Sequence, residues 1–299
     1  MADQTTGDQA ARTSWELPLT SPIDGDDGDS WRIVPREIDV TVAHPARRYD
    51  YWLGGKDNFP ADRASGDTIA ESFPNIRTAV LENRRFLRRA VRFLTGEAGI
   101  DQYLDIGTGI PSADNTHEVA QRLRPESRVV YVDNDPVVLA HARALLTSEG
   151  GAGVTAYIDA DVRDPAAILG DPAFTETLDL GRPVALMMIA VMHFITDEHT
   201  PYEIVRSLTG ALPSGSYLAM THVTNDFYPP ETLRSFDFDP SKHGDFRMRN
   251  REEFARFFSG LDLVDPGIVT VGDWRAQDEP GPRPTAEETA VYAAVGRIP

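Results

Sequence analysis

The sequence contains no cysteine, which removes disulfides, thiolate zinc sites, iron–sulfur clusters and cysteine nucleophiles together. Lysine is nearly as scarce: only Lys56 and Lys242 occur, and every other basic residue is an arginine. Positive charge is short overall, with 29 Lys and Arg against 47 Asp and Glu, a net −18. Bulk nucleic acid and an anionic membrane are poor partners for such a chain, since both need an excess of positive surface. No stretch reaches the roughly 18 apolar residues of a membrane-spanning helix. The N-terminal MADQTTGDQAARTSWELP lacks the basic and apolar regions of a signal peptide, so a soluble cytoplasmic protein is expected. What is present, 41% hydrophobic and 25% charged residues over 299 positions, suits one large globular domain with additions or two small ones.

Three regions are expected. Residues 1–30 carry seven acids against Arg12, a net −6, with few large apolar residues. Such a segment cannot bury enough surface to offset its ordering entropy, so 1–37 reads as an acidic disordered tail. Residues 38–95 read as an N-terminal helical cap or lid. Tyr49, Tyr51 and Trp52 precede a Gly54–Gly55 break, and Lys56, Asp57 and Asn58 follow it. Ile76, Val80, Asn83, Leu87, Ala90 or Val91, and Leu94 then recur at helical steps. The opposite face, Arg84, Arg85, Arg88, Arg89 and Arg92, reads as a solvated stripe.

From residue 96 to 299 the pattern is strand–helix alternation, the signature of a doubly wound α/β domain. Strands are expected at Gln102–Ile106, Arg128–Val132, 154–158, Pro183–Ile189, Ser216–Thr221, 261–264 and 290–295. Helices are expected between them, including HEVAQRL, one opening at Pro136, Glu198–Leu208, 229–236 and 251–259. Asp105, Asp133 and Asp161 mark three successive strand ends, where ligands bind in such sheets. Asp105 precedes a Gly107-Thr108-Gly109 turn, and Ser112 stands where a dinucleotide fingerprint has its third glycine. A carboxylate there would repel a pyrophosphate and attract a cation. S-adenosylmethionine (SAM), with an ammonium, a sulfonium and no phosphate, fits that preference. Asp133 is placed for ribose hydroxyls, and Asp161, with Val162 beside it, for the adenine amino group. Helix capping or Asx turns are the alternative for each Asp.

The strings DIGTGIPSADNTHEVAQ and VVYVDNDPVVLAHARALL resemble the class I SAM-dependent methyltransferases. More narrowly, HPARRYDYWLGGKDNFPADRA, ENRRFLRRAVRFL and LVDPGIVTVGDWR resemble the S-adenosyl methyltransferase family formerly known as DUF574. The likeness runs from about Ile38 to Gly296. It implies a Rossmann-like sheet of seven strands whose last, around Val291–Val295, runs antiparallel. It also implies SAM contacts at Asp105, Gly107, Thr108, Gly109, Asp133, Asn134, Asp161 and Val162.

Methyl transfer needs alignment, exclusion of water and sometimes removal of a proton, so no obligatory triad is expected. His193, just past the fourth strand, is the candidate base and His222, past the fifth, the second; a structural hydrogen-bonded role is the alternative for both. His117 and Glu118 do not make a zinc helix, because Gln121 stands where the second histidine would be, and no metal is expected. In the cap, Tyr49 and Tyr51 would wall the acceptor pocket, Lys56 or Asn58 would anchor a polar group, and Gly54–Gly55 would act as a hinge. Simple packing of the segment on the domain is the other reading. The function expected is methyl transfer from SAM to a small molecule. A SAM-binding regulator without catalysis is the alternative, and an NAD-linked oxidoreductase is disfavoured by Asp105 and Ser112. The acceptor and the oligomeric state are not legible.

Overall fold

The computed structural model describes residues 38–146, 153–235 and 243–299; the acidic tail read over 1–37 lies outside them. Seven of the helices begin on a proline: α1 (Pro45–Trp52), α2 (Pro60–Ser72), α5 (Pro136–Leu146), α6 (Pro165–Gly170), α7 (Pro172–Thr177), α8 (Pro201–Gly210) and α9 (Pro230–Ser235). Proline suits the first helical position because its missing N–H is unpaired there in any residue and its φ is already helical. The longest helix, α3 (Ile76–Gly96), and α4 (Thr116–Leu123) start without it; Asn115 and Glu118 cap α4 reciprocally.

The parallel strands are β1 (Gln102–Ile106), β2 (Arg128–Asp133), β3 (Val154–Asp159), β4 (Ala185–Met188) and β5 (Tyr217–Val223). They stand in the order β3-β2-β1-β4-β5, so the chain reverses its direction of travel across the sheet between β1 and β4. β8 (Val291–Arg297) pairs antiparallel along the whole of β5. Its outer edge is shared by two two-residue strands, β6 (Asp262–Leu263) and β7 (Val269–Thr270). Eight strands therefore fill the positions of a seven-stranded sheet, with β6 and β7 occupying one. β7 is too short for periodicity to reveal.

Alternate residues of each strand enter opposite cores, as pleating requires. Leu104, Ile106, Val130, Val132, Leu186 and Met188 pack toward α6, α7, α8 and Phe254–Phe258. Tyr103, Val129, Tyr131, Ala185 and Met187 pack toward α3, α4 and Trp274. Of the α3 face the spacing predicts, Val80, Asn83, Leu87, Ala90, Val91 and Leu94 are buried and Ile76 is half-buried; Ala79, Glu82, Phe86, Arg89 and Thr95 are buried as well. Phe86 is fully buried and meets the Trp274 ring edge-on at 5.2 Å.

The arginine stripe of α3 is not simply solvated. Arg85 and Arg92 face water, but Arg89 is buried. Its Nε donates to Trp274 O at 2.7 Å, and its other nitrogens reach Val271 O and Glu279. Each loop carbonyl there needs a donor, and the five-donor guanidinium serves several at once. The helix expected from Glu198 instead begins at Pro201. Asp197–His199 form a 3-10 turn, and Thr200 at φ 49° breaks the run before the proline.

Phe86 tests whether α3 is part of the cooperative core. Phe86→Ala is expected to cost about 3–5 kcal/mol in urea unfolding with an unchanged slope. A loss well under about 1 kcal/mol would show α3 to be loosely attached.

Candidate functional site

The crevice at a strand-order reversal in an open α/β sheet, outside the carboxyl ends, is where ligands bind. Here that crevice is a cleft of about 290 Å³ at the ends of β1, β2, β3 and β4. All eight residues expected to contact SAM line it: Asp105, Gly107, Thr108, Gly109, Asp133, Asn134, Asp161 and Val162.

The glycine loop turns its donors inward. Gly107 and Thr108 direct their N–H groups at Val132 O, at 2.8 and 3.4 Å, and Gly109 N donates to Asp133 Oδ2 at 2.8 Å. A phosphate cradle would leave such amides open for an anion. Gly107 lies at φ 68°, and a Cβ there would come within 2.2 Å of Val191 Cγ2, so both backbone and space demand glycine.

Each acid has a distinct environment. Asp105 is buried and accepts from Thr116 Oγ1 at 2.6 Å. Burial pushes its carboxyl up to about 6, with the Thr116 bond opposing. Asp133 is raised by burial too, against hydrogen bonds from the Asp135 and Gly109 amides. Those two bonds use one lone pair on each oxygen, leaving one on each for a ligand. Asp161 is lowered to about 2, chiefly by hydrogen bonding to Arg163. Its four acceptor sites are taken by Arg163 N, Nε and NH2 and by Asn134 Nδ2.

The far wall comes from the N-terminal segment. His44, Pro45, Ala46, Tyr49, Asp50 and Leu53 line the cleft, as do Asn83, Arg84 and Leu87 of α3. One buried carboxylate holds this wall to the sheet. Asp135, directly after the β2 end, accepts from Arg47 Nε at 2.9 Å and NH2 at 3.2 Å and lies 2.8 Å from His44 Nδ1. The proton of that short contact sits on Nδ1, so the 3.3 Å approach of Ala46 N to the same nitrogen is not a hydrogen bond. Burial raises the Asp135 carboxyl, but hydrogen bonding and charge from His44, with Arg47, overcome it and lower it to about 2. Arg84, from the stripe read as solvated, donates to Ala113 O and Asp114 O at 3.0 and 3.2 Å and so secures the loop after Gly109.

A second, mostly apolar cavity of about 90 Å³ adjoins the cleft, sharing Pro45, Tyr49, Asn83, Ala190 and Phe194 with it. Ala190, just past β4, holds φ 59° with its N–H bonded to Thr221 Oγ1. Left-handed backbone at a non-glycine residue is strained, and it persists where the surroundings over-determine it. His193 lines this second cavity; its Nδ1 is buried without a partner, and burial, His222 and Arg249 hold its pKa well below the usual value.

Other expected site residues fall elsewhere. His222 lines neither cavity: Nδ1 donates to Val223 O at 2.7 Å, and Nε2 must accept from Arg249 at 2.9 Å, since arginine only donates. Burial lowers it to about 3, and it is a satisfied structural histidine. Tyr51 turns outward, bonding Asp67 at 2.8 Å with Arg77 over its ring. Lys56 is exposed and lines neither cavity. Asn58 is buried but serves the loop itself, donating to Asp50 Oδ2 and Gly55 O. Gly55 lies so close to Asp50 that a Cβ would overlap its carboxylate. Asp50 thus braces the segment read as a hinge, also accepting from Asp57 N at 3.0 Å. Near the cleft, exposed Glu198 and Asp245 and half-buried His199 each place one potential ligand atom within 4.8 Å of the others, among the described residues.

The sheet and the cleft at its reversal are those of the class I SAM-dependent methyltransferases. Residues 32–299 match the model of the S-adenosyl methyltransferase family, and the chain belongs to that family. It is a SAM-dependent methyltransferase. A DUF574 family protein from Streptomyces avermitilis MA-4680 is 48% identical, with a TM-score of 0.81, over 88% of this chain and 100% of that one. A candidate methyltransferase from Thermobifida fusca YX is 40% identical, with a TM-score of 0.79, over 87% of this chain and 96% of its own. No curated protein matches the chain. Among the described residues no helix is long and apolar enough to cross a membrane.

Removing the Asp135 carboxylate leaves a buried arginine unpaired. Asp135→Ala is expected to cost about 3–5 kcal/mol in denaturant unfolding. Because the folded pKa is depressed, the stabilisation is complete above about pH 4 and lost as pH falls toward about 2, so the variant should also lack that part of the acid limb.

Proposed function

We propose that the chain methylates a small molecule held in the second cavity, with SAM in the adjoining cleft. One observation carries this reading: the glycine-loop amides bond inward while three carboxylates line the same cleft, a donor set suited to a cationic ligand without phosphate. Asp105 would face the positively charged end. The two open lone pairs of Asp133 would take the ribose hydroxyls. At Asp161 the adenine amino group would replace the exposed Arg163 fork, an exchange between solvent-accessible partners that costs little. Bound there, SAM supplies a methyl group already activated by its sulfonium.

The protein's share is alignment and exclusion of water. α1 and α3 close the side of the cleft opposite the strand ends, and Tyr49 and Asn83 stand on the border between the two cavities. His193, neutral because it is buried, lines the acceptor side and keeps a buried Nδ1 without a partner. It can take a hydrogen bond or a proton from an O–H or N–H nucleophile; its depressed pKa makes it a weak base, fit for an acceptor that loses its proton as the bond forms.

Calorimetric titration with SAM tests the cleft. Asp133→Ala should weaken binding about 10- to 100-fold, the scale of lost hydrogen bonds to a charged group. Affinity should fall about tenfold from about pH 7.5 to about pH 5, because protonating Asp105 removes the charge that attracts the ligand, and Asp105→Asn should flatten that dependence. An Asp133→Ala protein that binds SAM like the wild type sinks the assignment. Incubation with methyl-labelled SAM and a metabolite extract should place the label in dialysable product; label confined to protein or nucleic acid would refute a small acceptor.

A further inference from the structure

The cleft suits a cation, yet its wall includes an arginine without a counter-ion. Arg84 of α3 lines the cleft together with Asp105, and no ion pair to Arg84 occurs among the described residues. The other basic groups of the cleft are answered by acids, Arg163 by Asp161 and His44 by Asp135. Asp105 feels the charge of Arg84, which holds its carboxyl down, but the two side chains do not meet. An unanswered guanidinium there would repel a purely cationic ligand.

Arg84 meets the protein through one end only. Its NH2 donates to Ala113 O at 3.0 Å and Asp114 O at 3.2 Å and approaches Asn115 Oδ1 at 3.4 Å, all neutral acceptors. Nε and NH1 have no partner among the described residues. Neither is sealed off: Arg84 is half-buried, and both atoms stay accessible to solvent. Asp105 is left in the matching state, with Oδ2 accepting from Thr116 at 2.6 Å and Oδ1 unpartnered but accessible. The loop contacts through NH2 fix the plane of the guanidinium while its remaining donors stay free, and a carboxylate is the group such donors attract most. SAM carries one anionic group, the carboxylate of its methionine end, on the same carbon as its ammonium. A single zwitterionic end thus answers both the free acceptor of Asp105 and the free donors of Arg84. Arg84 does not line the second cavity, so the carboxylate it meets belongs to the cofactor and not to the methyl acceptor.

We infer that Arg84 and Asp105 clamp the amino-acid end of SAM, Asp105 holding the ammonium and Arg84 the carboxylate, and that Arg84 selects S-adenosyl amino acids over nucleosides that lack the carboxylate. This rests on SAM occupying the cleft. The sulfonium lies between the ribose and the methionine chain, so fixing both ends fixes the direction of the methyl–sulfur bond, along which the acceptor must approach.

The test is calorimetric titration of the full chain at about pH 7.5, above the Asp105 pKa of about 6. S-adenosylhomocysteine is compared with its decarboxylated analogue, which keeps the ammonium and lacks only the carboxylate. The wild type should bind S-adenosylhomocysteine about tenfold or more tightly, the gain expected of charge-assisted hydrogen bonds. Arg84→Gln should abolish or invert that preference, because the decarboxylated ligand is the more cationic and the acids of the cleft favour it. Arg84→Lys should keep part of it. If Arg84 serves only the loop at 113–115, Arg84→Gln weakens both ligands alike and the preference survives, which overturns the inference, as does a wild type without the preference. Should Arg84→Gln fail to fold, Arg84→Lys takes its place, and an undiminished preference there overturns the inference. A wild type that binds neither ligand contradicts the placement of SAM in the cleft instead.

Discussion

The contact of Arg47 and His44 with Asp135 is the constraint on which the site depends. The sheet alone presents one side of a cleft: strand ends, the glycine loop and three acids. The opposite side belongs to α1 and α3. Asp135 sits two residues past Asp133, and its N–H bonds the Asp133 carboxylate while its own carboxylate holds α1. The residue that fixes the Asp133 carboxylate therefore also anchors the wall across from it. A shift of α1 would move Tyr49 relative to the cleft and disturb the border between the cavities.

Arginine performs this kind of joining repeatedly, and the near-absence of lysine becomes intelligible in that light. Arg89 satisfies loop carbonyls at Trp274 and Val271, Arg84 those at Ala113 and Asp114, and Arg249 those at Met192 and Ile195 while also pairing with Asp197. A planar group with five fixed donors can bind several carbonyls in one plane, which a single ammonium on a flexible stem does less well. Arg48 and Arg249 each keep a buried Nε without a partner even so.

The parts of the site built from strand ends were readable because period, glycine and acid recur in register with the sheet. Asp105, Asp133 and Asp161 each follow an apolar run, and the run itself indicates the strand. The cap was far less legible. Tyr51 and Tyr49 stand two residues apart on a helix, which points them to different sides, and nothing local says which side meets the sheet. Nothing local shows that Asn58 and Gly55 are tied to Asp50, which engages both. His193 and His222 have similar sequence surroundings, yet Arg249, distant in the chain, saturates only the second. Arg84 and Arg89 repeat a pattern that reads as solvated, and only the tertiary placement of loops 113–115 and 271–279 gives them partners.

The two cavities are joined through groups that cannot easily rearrange. Ala190 holds left-handed backbone on one side of the border, pinned by Thr221, whose strand β5 is in turn clamped between β4 and β8. Tyr49 and Asn83 hold the other side through a directed chain ending on the α3 backbone. Methyl transfer asks that nucleophile and methyl carbon meet in line, and such alignment is worth most when the walls need no reorganisation. A border made of a strained backbone and a directed hydrogen-bond chain is held on both sides. Of the side chains with a buried unpartnered polar atom, Arg48 and His193 line the second cavity and Asn83 lines both. On the glycine-loop side the protein satisfies its own amides and leaves one lone pair open on each Asp133 oxygen.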